Sequence, residues 1–233
     1  LWSSQVLAKR PVPYTTVALD ARAGYARSVV VDIKIIDGTI VCVGTLLGQD
    51  GESDRAVMWE VTPSGTGYDV NTRVLEGGEH ISSINKHGAA VGEYHTLVYD
   101  RLYITNGLCW PDPGGSPVEL APLEGENGAY PTGINADGVI VGRSLHKYLS
   151  YDEQGNETIV EKDTAAAWRI GVVNDQGALV AVDLSNGSGQ FSTAYDINDC
   201  DTAGVAQVVG SDEGLAGTVI WHLDCSSGLP VPV

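Results

Sequence analysis

Short apolar runs rich in Val and Ile alternate along this chain with breaks built from Gly, Asn and Asp, and helical spacing of apolar positions is nearly absent. One unit recurs: an apolar residue, Asn, two variable residues, Gly, then an apolar run that often ends in Gly. It reads Ile84-Asn85-Lys86-His87-Gly88 before Ala89-Ala90-Val91-Gly92, and Ile134-Asn135-Ala136-Asp137-Gly138 before Val139-Ile140-Val141-Gly142. Val173-Asn174-Asp175-Gln176-Gly177 before Ala178-Leu179-Val180-Ala181 is a third copy. Ile197-Asn198-Asp199 opens a stretched fourth that reaches Gly204 and Val205–Gly210, and Ile36-Asp37-Gly38 before Thr39–Gly44 is a copy without the Asn. The unit predicts a β-hairpin: the Asn side chain opens a type I turn, and Gly takes the left-handed position that closes it. The Val- and Ile-rich run after Gly is the pattern of a strand buried on both faces.

A second element follows, an apolar segment ending in an aromatic: Ala56-Val57-Met58-Trp59, Gly107-Leu108-Cys109-Trp110, Thr218-Val219-Ile220-Trp221 and, with Tyr, Tyr148-Leu149-Ser150-Tyr151. Leu1-Trp2 looks like the same element with its beginning removed, which suggests a processed or excised segment. Thr164-Ala165-Ala166-Ala167-Trp168 reads as strand. Strand, turn, strand, loop, aromatic strand, turn, strand makes a four-stranded blade, and the Asn85–Asn135 and Asn135–Asn174 spacings of 50 and 39 residues suit the period of about 40–50 of propeller repeats. The expected fold is therefore all-β: one domain, residues 1–233, a β-propeller of about five four-stranded blades, with approximate repeats 16–77, 78–126, 127–163, 164–189 and 190–233. The Asn174–Asn198 step of 24 residues is short, and ring closure by N- and C-terminal strands, the former around Leu1–Leu7, is the expected remedy.

At these residues the chain resembles the HAF-type extracellular repeat family, whose unit has the form Ile-Asn-x-x-Gly-x-Val-Val-Gly followed by an Ala-Phe-Leu-Trp-like element. Ile134–Gly142 matches the first part and Val219-Ile220-Trp221 the second, and diverged copies cover most of residues 29–233. The resemblance implies a β-propeller-like fold and a secreted or surface setting in bacteria. It implies no defined activity.

Charge narrows the partners. Thirteen Lys and Arg against 30 Asp and Glu give −17, with no basic run, so nucleic acid and anionic membranes are repelled, and no stretch is long and apolar enough for a membrane span. The four cysteines, Cys42, Cys109, Cys200 and Cys225, lack C-x-x-C spacing. Cys200–Cys225 is the preferred disulfide because both lie in the last repeat; Cys42–Cys109 would then join the first two, with buried free thiols as the competing reading. Asn156-Glu-Thr and Asn186-Gly-Ser match the glycosylation sequon in turn-like contexts. An extracellular, cell-surface or periplasmic location follows from these features taken together.

No motif demands a cofactor. Asp196, Asn198, Asp199 and Asp201 crowd oxygen ligands into one loop and form a calcium candidate, without the spacing of an EF-hand; an acidic hairpin loop is the plainer reading. The histidines His80, His87, His95, His146 and His222 share no ligand spacing, and neither a Gly-x-Ser-x-Gly elbow nor a nucleotide-binding glycine pattern occurs. The recurrent Asn residues read as turn formers and Trp59, Trp110 and Trp221 as packing between blades, rather than as ligand contacts. A glycoside hydrolase of five-bladed type would need two inward carboxylates, for which Asp20, Asp32, Glu60, Glu93 and Asp183 are available. The expected function is a non-catalytic binding module for a glycan or protein partner, using variable loops such as Tyr94–Thr105 and Pro111–Pro117. A structural repeat of a larger surface protein or filament is the alternative.

Overall fold

The computed structural model describes residues 16–19, 23–49, 51–99, 101–185, 191–213 and 217–231. These residues form four antiparallel sheets, each a meander in chain order, with no α-helix among them. Sheet I contains β1 (Tyr25–Ile36), β2 (Thr39–Gly48), β3 (Arg55–Ser64) and β4 (Gly67–Val74). Sheet II contains β5 (His80–Ile84), β6 (Ala90–Tyr99), β7 (Leu102–Trp110) and β8 (Val118–Glu119). Sheet III contains β9 (Gly128–Ile134), β10 (Val139–Tyr151), β11 (Glu157–Arg169) and β12 (Val182–Asp183), and sheet IV contains β13 (Ser192–Ile197), β14 (Val205–Asp212) and β15 (Gly217–Asp224).

The Asn-to-Gly corners join the first two strands of sheets II and III. Asn85 Oδ1 accepts from the amides of His87 and Ala89, and Asn135 Oδ1 from those of Asp137 and Val139, so one side chain satisfies two turn amides. In sheet IV this role falls to Asp201, which accepts from Ala203 and Val205, with Gly204 closing the turn. Asn198, expected to open that corner, instead accepts from the Gln207 amide across the hairpin. In sheet I the corner is a two-residue turn, with Asp37 and Gly38 both at positive φ (48° and 82°), which is why no Asn precedes it.

The glycine that ends each apolar run has a different purpose. Gly44, Gly92, Gly142 and Gly210 lie opposite a bulge in the first strand of their sheet, where Val31, Ser82, Thr132 and Tyr195 are the extra residues. A Cβ on these glycines would stand 1.8–2.2 Å from the carbonyl oxygens of Val29, His80, Tyr130 and Thr193 respectively. Any side chain would push the two strands apart. In all four sheets the aromatic follows in one register: the run-ending glycine pairs with Val57, Leu108, Ala166 or Val219, and Trp59, Trp110, Trp168 or Trp221 comes two residues later. Trp168, not Tyr148–Tyr151, is thus the aromatic of sheet III; the Tyr148–Tyr151 segment is the outer end of β10.

Successive sheets pack face to face over apolar cores. Val41, Val43, Ala56 and Met58 meet Ile81, Ile84, Leu108 and Trp110; Val91 and Cys109 meet Ile140, Ala166 and Trp168; Val139, Val141 and Ala165 meet Ala206, Val208 and Trp221. Amides staple the same interfaces. Asn85 Nδ2 donates to the Asn135 carbonyl at 2.9 Å, and Asn135 Nδ2 to the Asn198 carbonyl at 3.2 Å. Between sheets I and II, Asp32 Oδ2 accepts from the Ser83 hydroxyl and the Ile84 amide.

Several expectations change. The described residues form four sheets where about five were expected, because the boundary placed between residues 163 and 164 falls inside β11, which pairs continuously with β10 from Tyr151 to Val139. Thr164–Trp168 is strand, as the sequence reads. The Asn174 corner opens no new sheet: Leu179 beyond it bridges Val173 and runs parallel to Leu120, tying sheet III to the outer edge of sheet II. The closing strand expected around Leu1–Leu7 lies outside the described residues. Cys200 and Cys225 form a disulfide, whereas Cys42 and Cys109 are free and buried. Strand alternation keeps the latter pair apart. Val41 and Val43 face sheet II, so Cys42 joins Leu46, Val57 and Trp59 on the opposite face of sheet I. Leu108 and Trp110 face sheet I, so Cys109 faces sheet III.

Candidate functional site

The first strands β1, β5, β9 and β13 converge on a cavity of about 540 Å³ whose wall includes residues from all four. The four bulge residues Val31, Ser82, Thr132 and Tyr195 line it, beside the polar groups of Asp32, Lys34, Asn85, Lys86, Asn135, Asp196 and Asp199. Two of its carboxylates are paired with lysines: Lys34 reaches Asp32 at 3.3 Å and Lys86 reaches Asp199 at 3.1 Å. The Ala136 amide and Lys86 hold the Asp199 carboxyl below the usual carboxylate range. Both donors favour the ionised form.

A second cavity of about 460 Å³ shares Val31, Ser82 and Thr132 and adds Thr45, His80, Ile81, Glu93, His95 and Tyr130. Antiparallel register sets His80 opposite Glu93. The His95 amide and Nδ1 both meet Glu79 Oε2, at 3.0 and 2.9 Å, and the His80 and His95 rings stand edge to face at 5.7 Å. Glu93 is 5% exposed, and its Oε2 has no hydrogen-bond partner among the described residues. Burial pushes this carboxyl up from 4.5 to about 7; the Arg143 guanidinium opposes the rise and Glu79 adds to it. Arg143 lies over the Tyr130 ring at 4.6 Å and pairs with Asp163. Burial also raises the Tyr130 hydroxyl above its ordinary value, with the Glu93 charge as a smaller contribution.

The residues expected to bind calcium do not share one centre. Asp196 accepts its neighbouring Ile197 amide, Asn198 the Gln207 amide, Asp199 the Ala136 amide and Lys86, and Asp201 its own corner amides. Among the described residues, two groups of three or more His, Cys, Asp or Glu bring a ligand atom from each within 4.8 Å of the others: Glu79 with His80 and His95, and Asp137 with the disulfide-bonded Cys200 and Cys225. The first was not visible as a motif. His80 and His95 lie on β5 and β6 across the Asn85–Gly88 corner and Glu79 immediately precedes β5, so the informative spacing is a cross-strand register, not an interval along one element.

Of the carboxylates considered for glycoside cleavage, Asp32 lines the first cavity and Glu93 the second, while Glu60 pairs with Arg73 and Asn71 on the outer strands and Asp183 caps the turn at Ser185. Asp20 lies outside the described residues. Trp59, Trp110 and Trp221 are buried between or behind sheets and present no ring for stacking on a ligand. Tyr94–Thr105 is the outer part of the β6–β7 hairpin rather than a loop, with Leu97 opposite Tyr103. Asn156 sits at the β10–β11 corner, its amide donating to Asp152. No family model matches the chain, and neither does any curated protein.

Proposed function

We propose that this chain is a non-catalytic binding module of β-propeller type, working outside the cytoplasm, that takes a glycan in the cavity where the first strands of its sheets converge. The observation that carries this reading is the shared bulge. Four glycines permit it, and it places Val31, Ser82, Thr132 and Tyr195 on one cavity wall among carboxylates, amides, hydroxyls and lysines. Such a wall offers both donors and acceptors to a polyhydroxylated ligand, with Tyr195, largely exposed, as the aromatic surface. The disulfide supports an oxidising compartment, and the HAF-like repeat supports a secreted or surface setting.

A glycan array followed by titration calorimetry tests the reading. A binding glycan whose affinity is lost in Ser82→Trp, which fills the cavity, and weakened in Tyr195→Ala supports it. An array without any hit, or a ligand bound equally well by Ser82→Trp, overturns it.

A further inference from the structure

We propose that Glu79, His80 and His95 form a site for a divalent transition metal, Zn²⁺ by ligand type, at the second cavity. The inference stands apart from the glycan reading and needs no ligand other than the metal.

Three observations converge. First, one donor atom from each of the three side chains lies within 4.8 Å of the others, all three residues being half-buried. A four-coordinate zinc with bonds of about 2.0–2.1 Å keeps neighbouring donors about 3.3 Å apart, and His95 Nδ1 and Glu79 Oε2 already stand at 2.9 Å. His80 supplies the third donor, within 4.8 Å of both. Second, the buried Glu93 carboxylate lines the same cavity as both histidines and leaves Oε2 without a hydrogen bond among the described residues. An orphaned buried carboxylate oxygen is costly, and a cation beside it supplies the missing partner. The Arg143 guanidinium acts on Glu93 through its charge without a hydrogen bond to it, its Nη1 being held by Asp163 and its plane lying over the Tyr130 ring. Third, a further carboxylate stands behind the site: Asp54 Oδ2, from the β2–β3 connection of sheet I, lies 3.8 Å from His80 Nε2, a step short of a hydrogen bond, and Asp54 Oδ1 is itself fixed by the Gly48 amide. Two imidazoles and a carboxylate select zinc and its neighbours over calcium or magnesium, which prefer oxygen donors alone.

The rigidity comes from the backbone. The Glu79 amide donates to the Glu93 carbonyl and the His95 amide to the Glu79 carboxylate, so the two strands hold one register at the ligands. Gly92, next to Glu93, lies against the β5 bulge and cannot carry a side chain.

Titrating the purified chain with Zn²⁺, and with Co²⁺ as a spectroscopic probe, tests the site. The expected result is one equivalent bound at micromolar concentration, with visible Co²⁺ bands of four- or five-coordinate intensity and shifts of the His80 and His95 imidazole proton resonances. His80→Asn and His95→Asn should each weaken binding by about tenfold or more. Glu93→Gln should weaken it less, and His146→Ala and His222→Ala should leave it unchanged. Circular dichroism of each variant confirms folding, and the wild-type imidazole shifts need no variant at all. The proposal fails if the wild type takes up neither ion, if imidazole shifts fall on His146 or His222, or if a folded His80→Asn/His95→Asn double variant binds as well as the wild type.

Discussion

The side-chain amide of Asn85 donates to the main-chain carbonyl of Asn135, 50 residues later, at 2.9 Å. One residue thus does two jobs. Its Oδ1 builds the corner of sheet II, and its Nδ2 fastens that corner to the equivalent corner of sheet III. Asn85→Asp preserves the acceptor and removes the donor, and at this buried position it should cost about 1–3 kcal/mol. The same change at Asn174, whose Oδ1 makes the same turn at a half-exposed site, should cost distinctly less. Urea unfolding of the two variants measures the difference; equal costs would show that the cross-sheet bond contributes nothing.

Gly92 and Gly155 separate two uses of glycine. A Cβ on Gly92 would meet the His80 carbonyl oxygen at 2.1 Å, whereas Gly155 has φ of +81° and open space around it. Gly155→Ala should cost about 1–2 kcal/mol of backbone strain. Gly92→Ala must displace a strand and should cost about 3 kcal/mol or more. Thermal unfolding should rank them in that order, and Gly142→Ala should behave as Gly92→Ala.

Glu93 makes stability depend on pH in a definite direction. Its carboxyl stands at about 7 in the folded chain against an ordinary 4.5, so the folded state holds the proton more tightly than the unfolded state. Stability is therefore greatest below about 4.5 as far as this group is concerned, and declines as pH rises towards 7. Glu93→Gln should remove that decline, on the order of 3 kcal/mol at most, and so be more stable than the wild type at pH 8 in metal-free buffer. Parallel pH profiles for variant and wild type would contradict this.

The four cysteines should divide into two classes. Burial raises the Cys42 thiol and pushes Cys109 up to about 12, so neither should react with a disulfide reagent in the native chain, while two thiols should appear in denaturant. Cys200–Cys225 closes a loop with a sequence separation of 25, and replacing both by Ser should cost about 3 kcal/mol. A native thiol titre above zero would place Cys42 or Cys109 nearer to solvent than the structure has them.

Strand and corner were legible because both are local. Asn135 and Gly138 fold their own turn, and Val139–Val141 bury by composition alone. The disulfide was legible for a similar reason: Cys200 and Cys225 flank one hairpin set. Other features depended on which strands pair and how sheets stack, and no local signal reports that. Asp201 rather than Asn198 became the corner of sheet IV because hydrogen-bond register across β13 and β14 decided it. Cys42 and Cys109 stayed apart because alternation turned them to opposite faces of neighbouring sheets. Glu79, His80 and His95 met only when β5 and β6 closed across a bulge. Local chemistry chose the pieces of this protein, and long-range packing, which exchanges chain entropy for buried faces, chose their neighbours.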